Sequence, residues 1–309
     1  VRTLGGKILP LARRSNVYGA LDMGLAPGLA PGRTKSEKVG KSAVQILEGL
    51  MEGSILGLLL VGADPVRDVP NGDLARQALG KARFVVALDQ FLTDSSRLAD
   101  VVLPVEGFSE KDGTVTNVEG RVQKVNRVVP GPGQSRPDWS ILDDLSDRMG
   151  RSINLVSAEA IAKEIATEAP AYVGITWDLL DSHKDGVVVP LSEATQPLVY
   201  LPADAPGKSP SGELVLHYAR TMFDDGVLMR HGPSLEHLAP GARVYLNFDD
   251  ARRLGLADGD QADVQTAQGS ARLTVRVDPG LTHGVVYVPF NQPGTPSLGS
   301  DPVVTVSKA

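Results

Sequence analysis

Residues 99–123 read ADVVLPVEGFSEKDGTVTNVEGRVQ. The stretch opens on a short apolar run, Val101-Val102-Leu103, stopped by Pro104, a residue without a backbone donor that ends or edges strands. It turns polar at Glu110-Lys111-Asp112-Gly113 and closes on a half-polar segment, Thr114 to Gln123. A short core strand that delivers the chain into so charged a loop marks a place for a ligand or for a neighbouring protein.

Upstream lie two more apolar runs, Ile55 to Val61 (ILGLLLV) and Phe84 to Leu88 (FVVAL). Continuous runs of this kind predict parallel strands covered on both faces. A helix is expected from about Ser42 to Glu52, with Val44, Leu47, Leu50 and Met51 on one side and Gly53 at its end. Asp73 is the expected N-cap of a second, short helix that stops at Gly80, and Thr93 to Ser96 can cap one more helical turn. Alternating strands and helices predict a parallel sheet with right-handed crossovers. The first expected domain, residues 1–150, is therefore a partial doubly wound α/β domain. Its first forty residues, with NVYGALDMGLAPGLAPGR, are too rich in Gly and Pro for a long helix or a central strand.

Downstream, Arg136-Pro137-Asp138-Trp139 leads into a helix to about Met149, and Ser157 to Glu168 is another. Residues 151–211 read as a helical segment and linker, with short strands at Val187 to Val189 and Leu198 to Leu201. From residue 212 the texture changes. Strands are expected at Glu213–His217, Arg243–Phe248, Ala262–Thr266, Ala271–Val277 and Val285–Pro289, with one short helix from an Asp249 N-cap to Leu254. Short strands separated by Gly-containing turns predict a small β-barrel over residues 212–309.

Composition narrows the function. The apolar fraction of 42% and charged fraction of 22% suit a globular protein, and the net charge of −6 favours neither nucleic acid nor an anionic membrane. No cysteine is present, which removes disulfides, iron–sulfur clusters and thiolate zinc from this chain. The five histidines form no HExxH or HxxxH pair, so no metal ligand is assigned. No GxSxG elbow, GxGxxG or P-loop occurs. The carboxylate pairs Asp143-Asp144, Asp224-Asp225 and Asp249-Asp250 are expected on exposed turns, which argues against glycosidase chemistry, and no catalytic residue is assigned. No apolar run approaches the roughly 20 residues needed to span a bilayer. The start at Val1 without Met reads as a fragment whose upstream portion holds the main chemistry.

In open parallel sheets, ligands bind at the carboxyl ends of the strands near a switch in strand order. Here those ends offer Gly62, Asp64, Asp89 and, beyond Pro104, Lys111. Gly62 lets a group approach the backbone, and the aspartates can accept from a ribose or a purine amino group. The plainer alternative is that both aspartates cap the turns after them, and that Lys111 is solvated or pairs with Glu110 and Asp112. Arg121, Lys124 and Arg127 place positive charge on one ribbon, which serves a partner surface or is simply solvated.

The run VVALDQFLTDSSRLADVVLPVEGFSEKDGTVTNVEGRVQ, with PGQSRPDW after it, resembles the molybdopterin oxidoreductase superfamily. It is most similar to the C-terminal part of the large iron–sulfur subunit of NADH–quinone oxidoreductase, respiratory complex I. The segment from LVLHYARTMFDDG to GVVYVPF resembles the family's molybdopterin-dinucleotide-binding domain, which implies a barrel of double-psi type. In molybdenum members the resemblance implies that a molybdopterin guanine dinucleotide is held at Gly62, Asp64, Asp89, Lys111, Asp138 and Arg220. The family's Thr-Gly-Arg barrel segment here reads Tyr218-Ala219-Arg220, which puts a close phosphate approach there in question. The pattern Asn117-x-Glu119-Gly120-Arg121 points to the complex I branch, whose members keep the fold as a scaffold without molybdenum.

On this resemblance the chain is a scaffold part of that large iron–sulfur subunit, supporting electron transfer from NADH to quinone, and is not itself catalytic. Its partners are other subunits of a respiratory complex on the cytoplasmic side of the bacterial inner membrane, with no nucleic acid and no membrane span of its own. Iron–sulfur clusters and the metal ligand belong to the upstream part. The alternative is the cofactor-binding half of a formate dehydrogenase-like molybdoenzyme.

Overall fold

The computed structural model describes residues 11, 14–190, 214–293 and 298–309. In chain order its elements are α1 (Val17–Asp22), β1 (Leu29–Ala30), β2 (Thr34–Lys35), α2 (Ala43–Glu52), β3 (Gly57–Val61), α3 (Pro65–Asp68), α4 (Gly72–Lys81), β4 (Phe84–Asp89), β5 (Val101–Pro104), β6 (Gly113–Thr116) and β7 (Arg121–Val125). There follow α5 (Asp138–Arg148), α6 (Ala158–Glu168), α7 (Trp177–Ser182), β8 (Val187–Val188), β9 (Leu214–Ala219), α8 (Val227–Arg230), β10 (Arg243–Leu246), α9 (Phe248–Arg253), β11 (Gln261–Gln265), β12 (Ser270–Val277), β13 (Val285–Pro289) and β14 (Val303–Lys308). The chain divides into two compact units, Val1–Gln45 with Leu103–Val199, and Ile46–Val102 with Tyr200–Ala309.

The second unit holds the parallel sheet, in the order β3-β4-β5, and a closed six-stranded barrel, β10-β12-β11-β14-β9-β13. The expected parallel strands form, with Leu58 opposite Val85 and Leu60 opposite Ala87. Sequential strand order leaves no switch point among the described strands of this sheet. The expectation of a sheet buried on both faces fails. Leu60, Val85 and Ala87 pack on Leu47 and Leu50 of α2 and on Ala75, Ala78 and Leu79 of α4. Because strand side chains alternate in direction, Leu59, Val61 and Phe84 point the other way and are 41–51% exposed. The N-cap of α4 is Asn71, which accepts from the Leu74 N–H, and the helix runs past Gly80 to Lys81. Asp73 lies within its first turn.

The barrel is built on strict alternation. Val244, Leu246, Ala262, Val264, Leu273, Val275, Val286 and Val288 are fully buried in one core. Alternate residues of β11 and β12 lie outside, where Asp263 and Arg272 pair across the strands. Parallel pairs β9/β13 and β10/β12 sit beside antiparallel ones. Four predicted strands are displaced by one or two residues at an end, and β14 went unpredicted. Phe248 belongs to α9 rather than to β10, because Asn247, not Asp249, caps that helix. The Leu198–Leu201 strand expected from sequence lies outside the described residues.

In the first unit, residues 114–123 form a hairpin. β6 and β7 pair antiparallel, and β8 adds to β7. The Asn117 carboxamide closes the turn by accepting from the N–H groups of Glu119 and Arg121, and Gly120 takes the left-handed conformation (φ +77°) that an L side chain resists. Val122 packs on Ala169, Tyr172, Ile175 and Leu180. Ser157, expected as the first residue of α6, is instead its N-cap, accepting from Ala160 N–H. No helix among the described residues is long and apolar enough to cross a membrane.

Candidate functional site

In the second unit the loops after β3 and β4 meet. Gly62 takes φ +56°, and the place its Cβ would fill is open. Asp64 precedes α3, yet its side chain does not cap that helix. Its Oδ1 accepts from Ser95 Oγ at 2.6 Å and Ser95 N–H at 3.0 Å, and Ser95 Oγ accepts from Val66 N–H. Asp64 Oδ2 is buried without a hydrogen-bond partner. Burial pushes the Asp64 carboxyl up from the usual carboxylate range, against the lowering effect of its Ser95 bonds. Asp89 behaves as the plainer reading has it: its carboxylate accepts from Gln90 N–H and from Thr93 Oγ1 in the turn that follows.

Around Asp64 stands a set of charges. Arg67 Nε donates to Asp94 at 2.6 Å and Nη1 approaches Asp225 at 3.3 Å. Burial raises the Asp94 carboxyl, but the hydrogen bond and charge of Arg67, with Arg230 and Arg76 beyond, outweigh it and leave Asp94 below its ordinary value. The Arg230 guanidinium lies 3.8 Å from Asp64, 3.9 Å from Asp94 and 4.0 Å from Asp225. These separations are ion pairs without hydrogen bonds, and Arg230 Nε and Nη2 are buried without partners. His231, the next residue, stacks on Phe91 with ring centroids 4.1 Å apart. Asp225 N–H donates to the Asn291 carbonyl, and the buried Asn291 amide has neither of its polar atoms bonded.

Arg220, at the end of β9, is also engaged. It pairs with Asp224 and donates from Nη2 to Asp68 at 3.0 Å, while its guanidinium lies over the Phe290 ring. Tyr218 packs edge-on against the same ring at 4.9 Å. Burial pushes its phenol up to about 12.

The two remaining predicted residues lie in the first unit and pair with each other: Lys111 Nζ donates to Asp138 Oδ2. Lys111 does not pair with its acidic neighbours, because Glu110 caps Gly107 N–H and Asp112 accepts from Arg127 N–H. Nor does the ribbon present a free basic stripe. Arg121 reaches Glu119 and the Gly186 carbonyl, and Lys124 pairs with Asp181 beside the Trp177 ring.

Of the predicted positions, Gly62, Asp64, Asp89 and Arg220 fall in one unit, and Lys111 and Asp138 in the other. The sequence reading missed Arg67, Asp94, Arg230 and Asn291. It also placed Asp225 and Asp250 on exposed turns, whereas Asp225 is buried and Asp250 is fully so, held by Gly284 N–H, Arg253 and His283. Buried acids look like surface acids until their partners, distant in sequence, are known.

The profile described as Molybdopterin oxidoreductase matches residues 11–148, and that described as Molydopterin dinucleotide binding domain matches residues 214–308. The chain belongs to the molybdopterin oxidoreductase family. It is 30% identical to NADPH-Fe(3+) oxidoreductase subunit alpha of Geobacter sulfurreducens, over 89% of this chain and 34% of that protein. It is 31% identical to a subunit of NADH-quinone oxidoreductase from Rhizobium meliloti, over 90% of this chain and 34% of that protein. It is also 31% identical to F420-dependent formate dehydrogenase 2 subunit alpha of Methanococcus maripaludis, over 93% and 48%. The chain thus spans a third to a half of the relatives it matches. Acetylene hydratase from Pelobacter acetylenicus shares the fold, with a TM-score of 0.62 at 18% identity over 86% of this chain and 46% of that one.

The family implies a pterin dinucleotide, whose diphosphate needs uncommitted cations or N–H donors at close range. The described cluster meets that need only in part: Arg230 Nε and Nη2 and the Asn291 amide are without hydrogen-bond partners, while the arginines all face carboxylates. Arg67, Arg220 and Arg230 are each paired with carboxylates, and five aspartates against three arginines leave a formal excess of two negative charges.

Proposed function

We propose that this chain is the C-terminal scaffold portion of a large iron–sulfur subunit of NADH–quinone oxidoreductase. In this reading the arginines beside the strand ends are paired with the chain's own carboxylates in place of a pterin dinucleotide. Electrons pass through iron–sulfur clusters carried by the portion of the protein upstream of these residues. The chain's part is to hold other subunits of a membrane-associated respiratory complex, on the cytoplasmic side of the inner membrane. The observation that carries the reading is the placement of Arg230 among Asp64, Asp94 and Asp225. The 31% identity to a subunit of NADH-quinone oxidoreductase supports it.

One observation favours a second reading, the cofactor-binding half of a formate dehydrogenase-like enzyme. Asp64 Oδ2 and the Asn291 amide are buried without partners, and a purine edge offers the complementary donors and acceptor. Asp64, Asp89 and Arg220 would then be its holding groups in the second unit. The test is acid release from the full-length protein followed by assay for oxidised pterin fluorescence and guanine nucleotide. The scaffold reading expects neither. Release of both in equal amounts favours the second.

A further inference from the structure

The parallel sheet of the second unit is covered on one face and open on the other. Leu59, Val61 and Phe84 point away from α2 and α4 and are exposed. Val102 packs with the α2–α4 cluster, so alternation turns the exposed Val101 to the same open face. Leu59 stands opposite Val86, and Gly57 opposite Phe84, across the β3–β4 ladder, so these apolar side chains adjoin. Purely parallel sheets occur almost only with both faces covered, and apolar patches left exposed mark interaction sites.

The edge of β3 is open as well. Arg83 N–H donates to the Leu56 carbonyl, and Gly62 N–H to the Leu88 carbonyl, so the even-numbered residues of this strand bond to β4. The backbone groups of Gly57, Leu59 and Val61 therefore point outward, where no described strand lies. Natural edge strands are blunted by charge or proline, and GLLLV carries neither.

Topology says what belongs there. α3 and α4 join β3 to β4, and α4 packs on the same face as α2. Right-handed crossovers whose helices share a face lay successive strands in one direction. A strand joined through α2 would thus lie beside β3, on the side away from β4. The described residues before α2 do not supply it, because β1 and β2 are two-residue strands that pair with each other. The chain accounts for 34% and 48% of the length of two relatives, so such proteins hold polypeptide enough to fill the place.

We propose that the upstream portion of the same polypeptide adds a parallel strand at the outer edge of β3 and lays an amphipathic helix over Leu59, Val61, Phe84 and Val101. A helix that joins strands beyond β3 in the reverse direction falls on this second face. The inference rests on the upstream portion that the proposed function requires, and not on what that portion carries.

Hydrogen–deuterium exchange of the monomeric full-length protein, resolved to single residues by mass spectrometry, tests it. The outward amides of Leu59 and Val61 should exchange within about tenfold of the inward amides of Leu58 and Leu60, as in a strand paired on both sides. Faster exchange than that leaves the edge open and overturns the proposal. Leu59→Lys sets a charge beneath the helix and should speed exchange across β3 by about tenfold or more, a cost of about 1.4 kcal/mol. An unchanged rate means an uncovered face and overturns it too. So does slow exchange that appears only in a dimer or with another subunit bound, which gives the face to a different chain. Iron–sulfur clusters present beside an open β3 would defeat this inference and leave the proposed function standing.

Discussion

Arg230 Nη2 lies 3.8 Å from Asp64 Oδ2, both atoms buried and neither hydrogen-bonded to anything. The pair is held in place from either side. Ser95 fixes the carboxylate, and the stack of His231 on Phe91 fixes the neighbour of the arginine. Attraction at this range depends on how little water reaches it, and it is offset by the cost of burying each charge.

Asp64 is therefore expected to matter more as a hydrogen-bond acceptor than as a charge. Asp64→Asn keeps an oxygen for the Ser95 N–H and hydroxyl and should change stability by less than about 1 kcal/mol. Asp64→Ala strands both donors and should cost about 1–3 kcal/mol. Urea unfolding of the two variants measures the difference. Equal losses would mean that the charge dominates.

Asp64 and Asp94 should respond to pH in opposite directions. The folded state raises the Asp64 carboxyl above its ordinary value, so folding favours its proton. Its ionisation costs stability above that raised value, and the cost fades as pH falls towards the unfolded value. Asp94 is lowered by Arg67, so its contribution is complete above its unfolded value and is lost as pH falls through the lowered one. Arg67→Met should remove the acid-side loss attributable to Asp94. Melting temperatures from pH 2 to 6 check this: the variant's curve should be flatter than the parent's below the usual carboxylate range.

Arg230→Met leaves Asp64, Asp94 and Asp225 facing one another, with Arg67 still paired to Asp94 and Asp225. The expected loss at neutral pH is about 1–3 kcal/mol, the scale for an uncompensated buried polar group. Double substitution with Asp64→Asn should recover part of it, because one of the facing charges is gone. A double-mutant cycle by chemical denaturation reads the coupling, and strict additivity would show that the pair does not interact.

The barrel core should be intolerant of truncation. Leu246 and Leu273 are fully buried in one cluster, and Leu273→Ala should cost about 2–5 kcal/mol through lost burial and a residual cavity. Arg272→Ala, on the outer face of the same strand, removes an exposed pair with Asp263 and should cost under about 1 kcal/mol. Comparing the two urea midpoints tests whether stability follows burial along β12.

The sequence revealed those parts of the fold that depend on periodicity. FVVAL and ILGLLLV announce strands because their apolar character is continuous, and the barrel announces itself through alternation at Ala262-x-Val264 and Ala271-x-Leu273-x-Val275. It could not show that Leu59 and Val61 stay exposed, since covering a face depends on which helices are at hand. Helix caps slipped by two residues at Asn71 and Asn247 because asparagine and aspartate compete for the same role. For the site, the resemblance pointed to Asp64 and Arg220, and their ion-pair partners were not legible. Arg230 reaches Asp64 across 166 positions of sequence, and no local pattern encodes a contact of that separation. Lys111 and Asp138 were both picked out as ligand contacts, and pairing with each other is a use of their charges that spacing cannot reveal.

The scaffold reading is tested most directly by metal content. Molybdenum and tungsten are measured by inductively coupled plasma mass spectrometry in the full-length protein, purified from cells grown with both metals. Neither metal should rise above background. Molybdenum or tungsten in stoichiometric amount would contradict the scaffold reading and assign the chain to the formate dehydrogenase-like one.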